Sequence, residues 1–137
     1  RKLVTKNGDI IDKYLNLVKE ETSINDEKIH SFTKQLDHYL DMLIKFTDWI
    51  KEKIKDSKDD VSAACNDYLK VLGLVATAHA WIKVLEVSFK DYDNNKEFYE
   101  DKIQTANFYF NRVLPRAESH FKTAITGSKY IMDYKFN

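Results

Sequence analysis

The fold of this chain is decided by Asp60–Lys90, which read DVSAACNDYLKVLGLVATAHAWIKVLEVSFK. Apolar side chains recur on more than one side of the helix that this stretch predicts. One side holds Leu69, Leu72, Val75 and Ala76, and the rest of the helix holds Leu74, Ala78, Trp81, Ile82 and Leu85. A helix that is apolar nearly all round takes the centre of a bundle. Gly73, inside this helix, costs up to about 1 kcal/mol of helix stability. We expect the close approach of a neighbouring helix to compensate for it.

Two further helices are predicted before this stretch. The first covers Asp9–Glu20, and its apolar face holds Ile10, Tyr14, Leu17 and Val18. The second covers Asp26–Lys55, with Ser23 or Asn25 as its N-cap. Its core-facing residues recur in steps of three and four; they are Ile29, Phe32, Leu36, Tyr39, Leu43, Phe46 and Ile50.

A fourth helix is predicted after the central one. Asn94 and Glu97 have the spacing of a capping box, and the helix is expected to run to Thr126, with Gly127 just past its end. Because Pro115 has no N–H to donate to the carbonyl of Asn111, we expect a kink there. The core-facing series is Phe98 or Tyr99, Ile103, Ala106, Phe110, Val113 or Leu114, Ala117, Phe121 and Ile125.

The composition fits one globular helical domain over residues 1–137. The chain is 43% hydrophobic and 32% charged, with only three glycines and one proline. So few turn-forming residues favour few, long elements. We predict an all-α fold, an up-down helical bundle of three long helices plus a short N-terminal helix.

Charge and cysteine content exclude several classes of function. The 22 basic and 22 acidic residues balance, so no nucleic-acid partner is expected. The most apolar segment, Val71–Ile82, is shorter than the about 20 residues of a membrane span, and we interpret it as part of a buried helix. The single cysteine, Cys65, excludes an internal disulfide and favours a reducing compartment, for which we expect the cytoplasm.

Few residues indicate catalysis or metal binding. The sequence contains no Gly-rich phosphate loop, CxxC or HExxH motif. His30 and His38 could share a helix face with Asp37 and Asp41, which is a weak metal signal. Polar residues on an ordinary helix surface are the simpler interpretation.

Two other candidates have simple structural interpretations. His79 lies in the apolar helix, where a lone histidine is more often a hydrogen-bonded core residue than a metal ligand. Cys65 lies in the first turns of the same helix, where a thiol pKa can be lowered. Since no histidine is near it in sequence to act as a base, we expect a small buried residue.

Arg112 and Arg116 form a more specific pattern. The chain has three arginines, and these two flank Pro115 at a spacing that puts them on one helix face. A guanidinium binds a carboxylate or phosphate in bidentate fashion. One interpretation is a docking or ligand contact; the other, which we favour, is a pair of salt bridges inside the bundle with Asp101 or Glu118.

Aromatic residues are frequent in the same predicted helix. Phe108 and Tyr109 together cover so wide an arc that they cannot both face one core, so one side should meet something outside the bundle. Phe108, Tyr109, Arg112 and Arg116 are therefore the candidate docking face.

Three segments resemble a known family. The first is Arg1-Lys2-Leu3 followed by Asn7-Gly8, the second is Ala63–Ala76 with Trp81 beyond it, and the third is Phe98–Ala117, which contains FYEDKIQTANFYF and RVLPRA. In this order they resemble the extra C-terminal domain of the methylthiopropionyl-CoA dehydrogenase-like branch of the acyl-CoA dehydrogenases. Residues 9–58 match that domain only in helical character.

The resemblance implies a C-terminal fragment of a longer flavoprotein that forms the Cα=Cβ double bond of an acyl-CoA thioester. In that family a glutamate takes the α-proton and FAD accepts the β-hydride. The glutamate lies just before the segment that Arg1-Lys2-Leu3 resembles, so no residue of these 137 inherits its role. The resemblance thus implies a non-catalytic packing and assembly module without cofactor, whose partners are the rest of the dehydrogenase chain and further subunits. The alternative is a free-standing helical interaction protein, an adaptor or effector.

Overall fold

The computed structural model describes residues 8–23 and 26–135, and every regular element in these ranges is helical. The helices are α1 (Gly8–Thr22), α2 (His30–Asp56), α3 (Lys58–Lys90), α4 (Lys96–Phe108), α5 (Arg116–Ala124) and α6 (Lys129–Met132). A 3₁₀ turn precedes α4, and a π-helical segment, Tyr109–Val113, joins α4 to α5. The predicted all-α bundle, with a short first helix and three long helical stretches, is confirmed.

A single residue separates α2 from α3. Ser57 has an extended backbone, its N–H donates to the carbonyl of Lys53, and its side chain accepts from the N–H of Asp60. Asp59 and Asp60 in the first turn of α3 suit the positive end of the helix dipole. This cap turns the chain back sharply, so α2 and α3 form an antiparallel pair that runs the length of the bundle.

The core lies where α2, α3 and the α4–α5 stretch meet. All seven residues predicted for the core face of α2 are buried. The inner side of α3 contributes Ala64, Tyr68, Val71, Val75, Ala78, Ile82 and Leu85. Rings of different helices meet at Phe46, which packs against Tyr68 and Phe121 at centroid distances of 5.1 and 5.4 Å.

Buried polar groups in this core are paired. The hydroxyls of Thr47 and Tyr68 lie 2.9 Å apart, and Thr47 also donates to the carbonyl of Leu43. Among the described residues, no buried side-chain nitrogen or oxygen lacks a hydrogen-bond partner. Because an unpaired buried polar group is costly, this pairing lets the core close without a polar defect.

The fourth predicted helix is interrupted. Pro115 has no N–H, and the chain accommodates it by widening the preceding turn, where the N–H of Leu114 donates to the carbonyl of Tyr109, five residues back, at 2.9 Å. The helix therefore has an extra residue in this turn and resumes only at Arg116. The kink expected at Pro115 takes the form of this interruption, and α5 ends at Ala124 and not at Thr126, whereas Gly127 does take a positive φ of 76°.

Two predicted helix starts are corrected. α2 begins at His30 and not at Asp26, whose side chain instead accepts from the N–H of Lys28. Of the two suggested caps, the Ser23 hydroxyl donates back to Glu20, and Asn25 lies outside the described residues. The cap of α4 is Asn95, which accepts from Phe98. Asn94 belongs to the 3₁₀ turn.

Several predicted core positions face solvent. In α1, Ile11, Leu15 and Val18 are buried, whereas Ile10 and Leu17 are each 48% exposed. Phe98, Ile125 and Leu69 are also exposed, and Leu72 is only half-buried. Apart from its chain neighbours and the backbone of its own helix turn, no atom of residues 8–23 and 26–135 lies within 4 Å of where a Cβ on Gly73 would be. The expected close approach of a helix of this chain to Gly73 is therefore wrong.

By length and composition alone, one described helix could cross a membrane: α3. The same properties suit the core helix of a bundle, and the inner side of α3 is buried against α2, α4 and α5. The hydropathy of α3 is thus partly explained by burial. Its outer side is apolar as well, and packing within this chain does not explain that.

Replacing Val75, which is fully buried, with Asp should destabilise the bundle by several kcal/mol, because the charge has no partner in the core. Asn66→Asp, at an exposed position of the same helix, is the matched control and should change stability by less than about 1 kcal/mol. Urea unfolding followed by circular dichroism measures both. Equal losses in the two variants would contradict the assignment of the inner side of α3.

Candidate functional site

The outward side of the α4–α5 stretch carries three of the four residues predicted to form a docking face. Phe108 is 61% exposed, and Arg112 and Arg116 are exposed as well. They lie opposite the residues that this stretch buries, which are Ala106, Phe110, Leu114 and Ala117. Aromatic residues and arginine are enriched in protein–protein interfaces, so these three side chains suit a contact with another protein surface.

The favoured salt-bridge interpretation of the two arginines is wrong. In the part of the chain that the structure describes, neither Arg112 nor Arg116 has an ion-pair partner. Glu118 pairs instead with His38 at 3.6 Å and with Lys122 at 3.8 Å. Both guanidinium groups are therefore available to a partner outside these residues.

Tyr109 differs from its predicted companions. Its side chain is half-buried, and its hydroxyl donates to the carbonyl of Leu74 in α3 at 2.7 Å. Burial raises the pKa of this hydroxyl. Tyr109 thus anchors the π-helical segment on α3, and the exposed docking face consists of Phe108, Arg112 and Arg116.

A charged cluster joins α1 to α3. The Glu21 carboxylate accepts from His79 Nε2 at 2.6 Å and from Lys83 Nζ at 3.1 Å. The hydrogen bond from His79, and then that from Lys83, hold the pKa of Glu21 below its ordinary value. The ring of Tyr14 lies edge-on to His79. The prediction that His79 is a hydrogen-bonded structural residue is confirmed.

The other histidines do not assemble a metal site. His120 Nδ1 pairs with Asp67 at 2.8 Å and joins α5 to α3. His30 and His38 are exposed, as the simpler interpretation predicted. Glu27 and His30 have the Glu-x-x-His spacing of some metal-binding bundles, but both are exposed. No group of three His, Cys, Asp or Glu residues suited to a metal occurs in residues 8–23 and 26–135.

The segment that follows α5 is hydrogen-bonded to the first turn of α3. Asp60 Oδ1 accepts from both the N–H and the hydroxyl of Ser128 at 2.7 Å. These two bonds, helped by Lys53 and Ser57, lower the pKa of Asp60 to about 2. A Cβ on Gly127 would lie 2.9 Å from the same carboxylate oxygen. Glycine is thus required both by the positive φ and by this contact.

A groove of about 360 Å³ lies between α2 and α5. It opens to solvent, and its lining residues are His38, Asp41, Met42, Lys45, Glu118, Phe121 and Lys122. Met42 and Phe121 provide an apolar floor beneath charges of both signs. Cys65 is not part of this groove, and it is exposed, so its predicted burial was wrong.

Comparison with known families accounts for this architecture. The family model described as Acetyl-CoA dehydrogenase C-terminal like matches residues 10–135. The chain belongs to this family. No curated protein and no solved structure matches it. The match includes residues 10–58, where the resemblance rested on helical character alone, so the acyl-CoA dehydrogenase C-terminal-like domain extends over all six helices. The methylthiopropionyl-CoA dehydrogenase-like branch stays a prediction.

We expect Glu21→Gln to lower the melting temperature at neutral pH, because it removes the carboxylate that His79 and Lys83 share. The folded-state pKa of Glu21 lies below its ordinary value of 4.5. Its stabilisation is therefore fully present above that pH and is lost as the pH falls through the folded-state pKa.

The measurement is a series of thermal melts from pH 7 down to pH 3, with Glu20→Gln, at an exposed neighbouring position, as the control. The difference between parent and Glu21→Gln should shrink below about pH 4.5. A difference that stays constant over the whole range would show that the cluster does not stabilise the fold through the charge of Glu21.

Proposed function

We propose that this chain is the non-catalytic C-terminal helical domain of a FAD-dependent acyl-CoA dehydrogenase, of the methylthiopropionyl-CoA dehydrogenase-like branch, and that it serves packing and assembly of the whole enzyme. The family match over residues 10–135 carries this proposal. The parent enzyme would form the Cα=Cβ double bond of an acyl-CoA, with FAD supplying the redox chemistry. In this chain we assign no step of that reaction to any residue.

The partly buried carboxylates support a structural role. Abstraction of an α-proton needs a carboxylate within hydrogen-bond reach of the substrate carbon. Glu21 is bound by His79 and Lys83, Asp60 by Ser128, and Asp67 by His120. Each of them connects two parts of the bundle. The hydrogen bonds that Glu21 and Asp60 accept lower the pKa of both carboxylates, because they stabilise the charged form, and this makes the two groups weaker bases.

The groove between α2 and α5 does not fit a flavin nucleotide. It is open to solvent, and Asp41 and Glu118 on its lining offset the positive charges of Lys45 and Lys122, so these side chains give the pyrophosphate of FAD no excess of positive charge. The sequence also contains no Gly-rich turn that would present backbone N–H groups to phosphates. We therefore propose that the flavin is held by the dehydrogenase part of the parent enzyme.

The docking face indicates what kind of surface it meets. Phe108 offers a large ring for burial, and Arg112 and Arg116 offer two forks of donors that match carboxylates. Tyr109 holds this segment rigidly on α3 through its bond to Leu74. We propose that the dehydrogenase part presents an apolar pocket flanked by acidic side chains to this face. Such a contact would fix the bundle against the catalytic part.

Residues 1–137 alone should neither bind FAD tightly nor oxidise an acyl-CoA, whereas a longer chain that includes the dehydrogenase part should do both. Flavin fluorescence during titration and a dye-coupled oxidation assay measure the two activities. Stoichiometric FAD binding or turnover by residues 1–137 would overturn the non-catalytic assignment.

In the longer enzyme, Phe108→Ala combined with Arg112→Ala should weaken docking of the bundle by about 2 kcal/mol, in the range of interface hot spots. The expected result is a lower melting temperature and loss of assembled enzyme on dilution, with kcat of the intact enzyme unchanged. Lys45→Ala, at an exposed position on α2, is the control. Assembly and melting equal to the parent would rule out this docking face.

A further inference from the structure

The outer face of α3 is an exposed apolar surface. We define it by six residues that recur on the side of the helix away from the core: Leu69, Gly73, Thr77, Ala80, Val84 and Val87. Leu69 is 64% exposed, Val87 51% and Val84 37%; the three small residues are exposed as well. The eighteen helical steps from Leu69 to Val87, at 1.5 Å each, make this face about 27 Å long.

Charged residues are absent from this face, in contrast to the exposed side of α2. Between Lys70 and Lys90 the only charged residues of α3 are Lys83 and Glu86. Lys83 pairs with Glu21 of α1 and with Glu86, on the flank towards α1. On α2, by contrast, the exposed positions include Lys34, Asp41, Lys45 and Asp48. The outer face of α3 therefore lacks the charges of an ordinary solvated surface.

Gly73 is the second peculiarity of this face. A glycine in an exposed helix interior costs up to about 1 kcal/mol relative to alanine, and no atom of the described chain uses the space above it. One turn on, the Thr77 hydroxyl donates to the Gly73 carbonyl at 2.9 Å. The face thus has a notch at Gly73, and the Thr77 hydroxyl already has a hydrogen-bond partner. Covering it would leave no side-chain donor unpaired.

We propose that the outer face of α3 packs against the same face of a second copy of this chain, with the two helices antiparallel and crossing near Ala80. A two-fold axis perpendicular to the helices brings the same flank of both copies together. Lys70 and Asp91 are 21 residues apart, which is three heptads, so they lie on one flank. The antiparallel arrangement puts Lys70 beside Asp91 of the second copy, twice per dimer.

Charge and shape both support this register. Neither Lys70 nor Asp91 has an ion-pair partner within the described ranges, 8–23 and 26–135. The same register places Val87 of one copy over the notch at Gly73 of the other. It also places Ala80 of one copy beside Ala80 of the other. A parallel arrangement would instead leave Lys70 and Asp91 of the two copies at opposite ends of the pair, where they could not attract each other.

The area of the face sets the strength of the dimer. A stable interface buries about 800 Å² on each partner, more than one helix 27 Å long supplies. On the side towards α1 this face ends at Lys83 and Glu86, so α3 alone supplies the apolar contact. We therefore expect a reversible dimer with a dissociation constant near the micromolar range.

The test uses the chain of residues 1–137, whose core is closed by its own helices. Sedimentation equilibrium over a wide concentration range should show a monomer–dimer equilibrium. Ala80→Glu puts two like charges at the crossing point and should raise the dissociation constant about 100-fold or more. Ser119→Glu, at an exposed position on α5, is the matched control and should leave it unchanged. Circular dichroism verifies that each variant is folded.

A charge exchange identifies the partner and the register. Lys70→Glu and Asp91→Lys should each weaken the dimer, and the double variant should restore it, because the two positions then attract again across the axis. A folded chain that is monomeric at all concentrations would overturn the proposal. So would a dimer insensitive to Ala80→Glu, a double variant no tighter than the single ones, or a monomer that floats with phosphatidylcholine–phosphatidylglycerol vesicles.

Discussion

Packing of the inner side of α3 against α2, α4 and α5 is the constraint on which the other features of the molecule depend. It requires the one-residue connection at Ser57, because the chain must reverse there for α3 to run back along α2. It also positions Tyr109, whose hydroxyl reaches the Leu74 carbonyl only because α4 lies alongside α3. Once that side is buried, the opposite side of α3 and the outward side of α4–α5 are the surfaces left to meet other molecules.

Helix α2 shows where sequence periodicity is sufficient. Its apolar residues form one stripe, so there is a single way to bury them, and all seven predicted positions are buried. Helix α1 shows the limit. Ile10, Ile11, Leu15 and Leu17 define two adjacent faces that differ by one residue, and the pattern alone cannot choose between them. In α3 apolar residues surround the helix, so the pattern predicted its central place without indicating which side stays exposed.

The site was predictable in part, for similar reasons. Phe108 and Tyr109 together cover too wide an arc for one core, so it could be foreseen that one of them faces outward. Which of the two does so depends on the widened turn before Pro115. The pairing of Glu21 with His79 joins positions 58 residues apart, and that of Asp67 with His120 joins positions 53 apart. No local pattern marks such pairs. They form only when the helices pack together. The two arginines likewise have no ion-pair partner among the described residues, because Glu118 pairs with His38 and Lys122 instead.

The π-helical segment at Tyr109–Val113 behaves as a one-residue insertion into an α-helix. An extra residue in a regular α-helix would rotate everything after it by about 100° relative to everything before it, whereas the widened turn absorbs that residue locally. The buried residues on both sides of the turn therefore stay on one side of the stretch; they are Ala106, Phe110, Leu114 and Ala117. Among homologues, a one-residue deletion in this segment should be tolerated, because it would close the turn into a regular α-helix and leave the core contacts of both flanks in place.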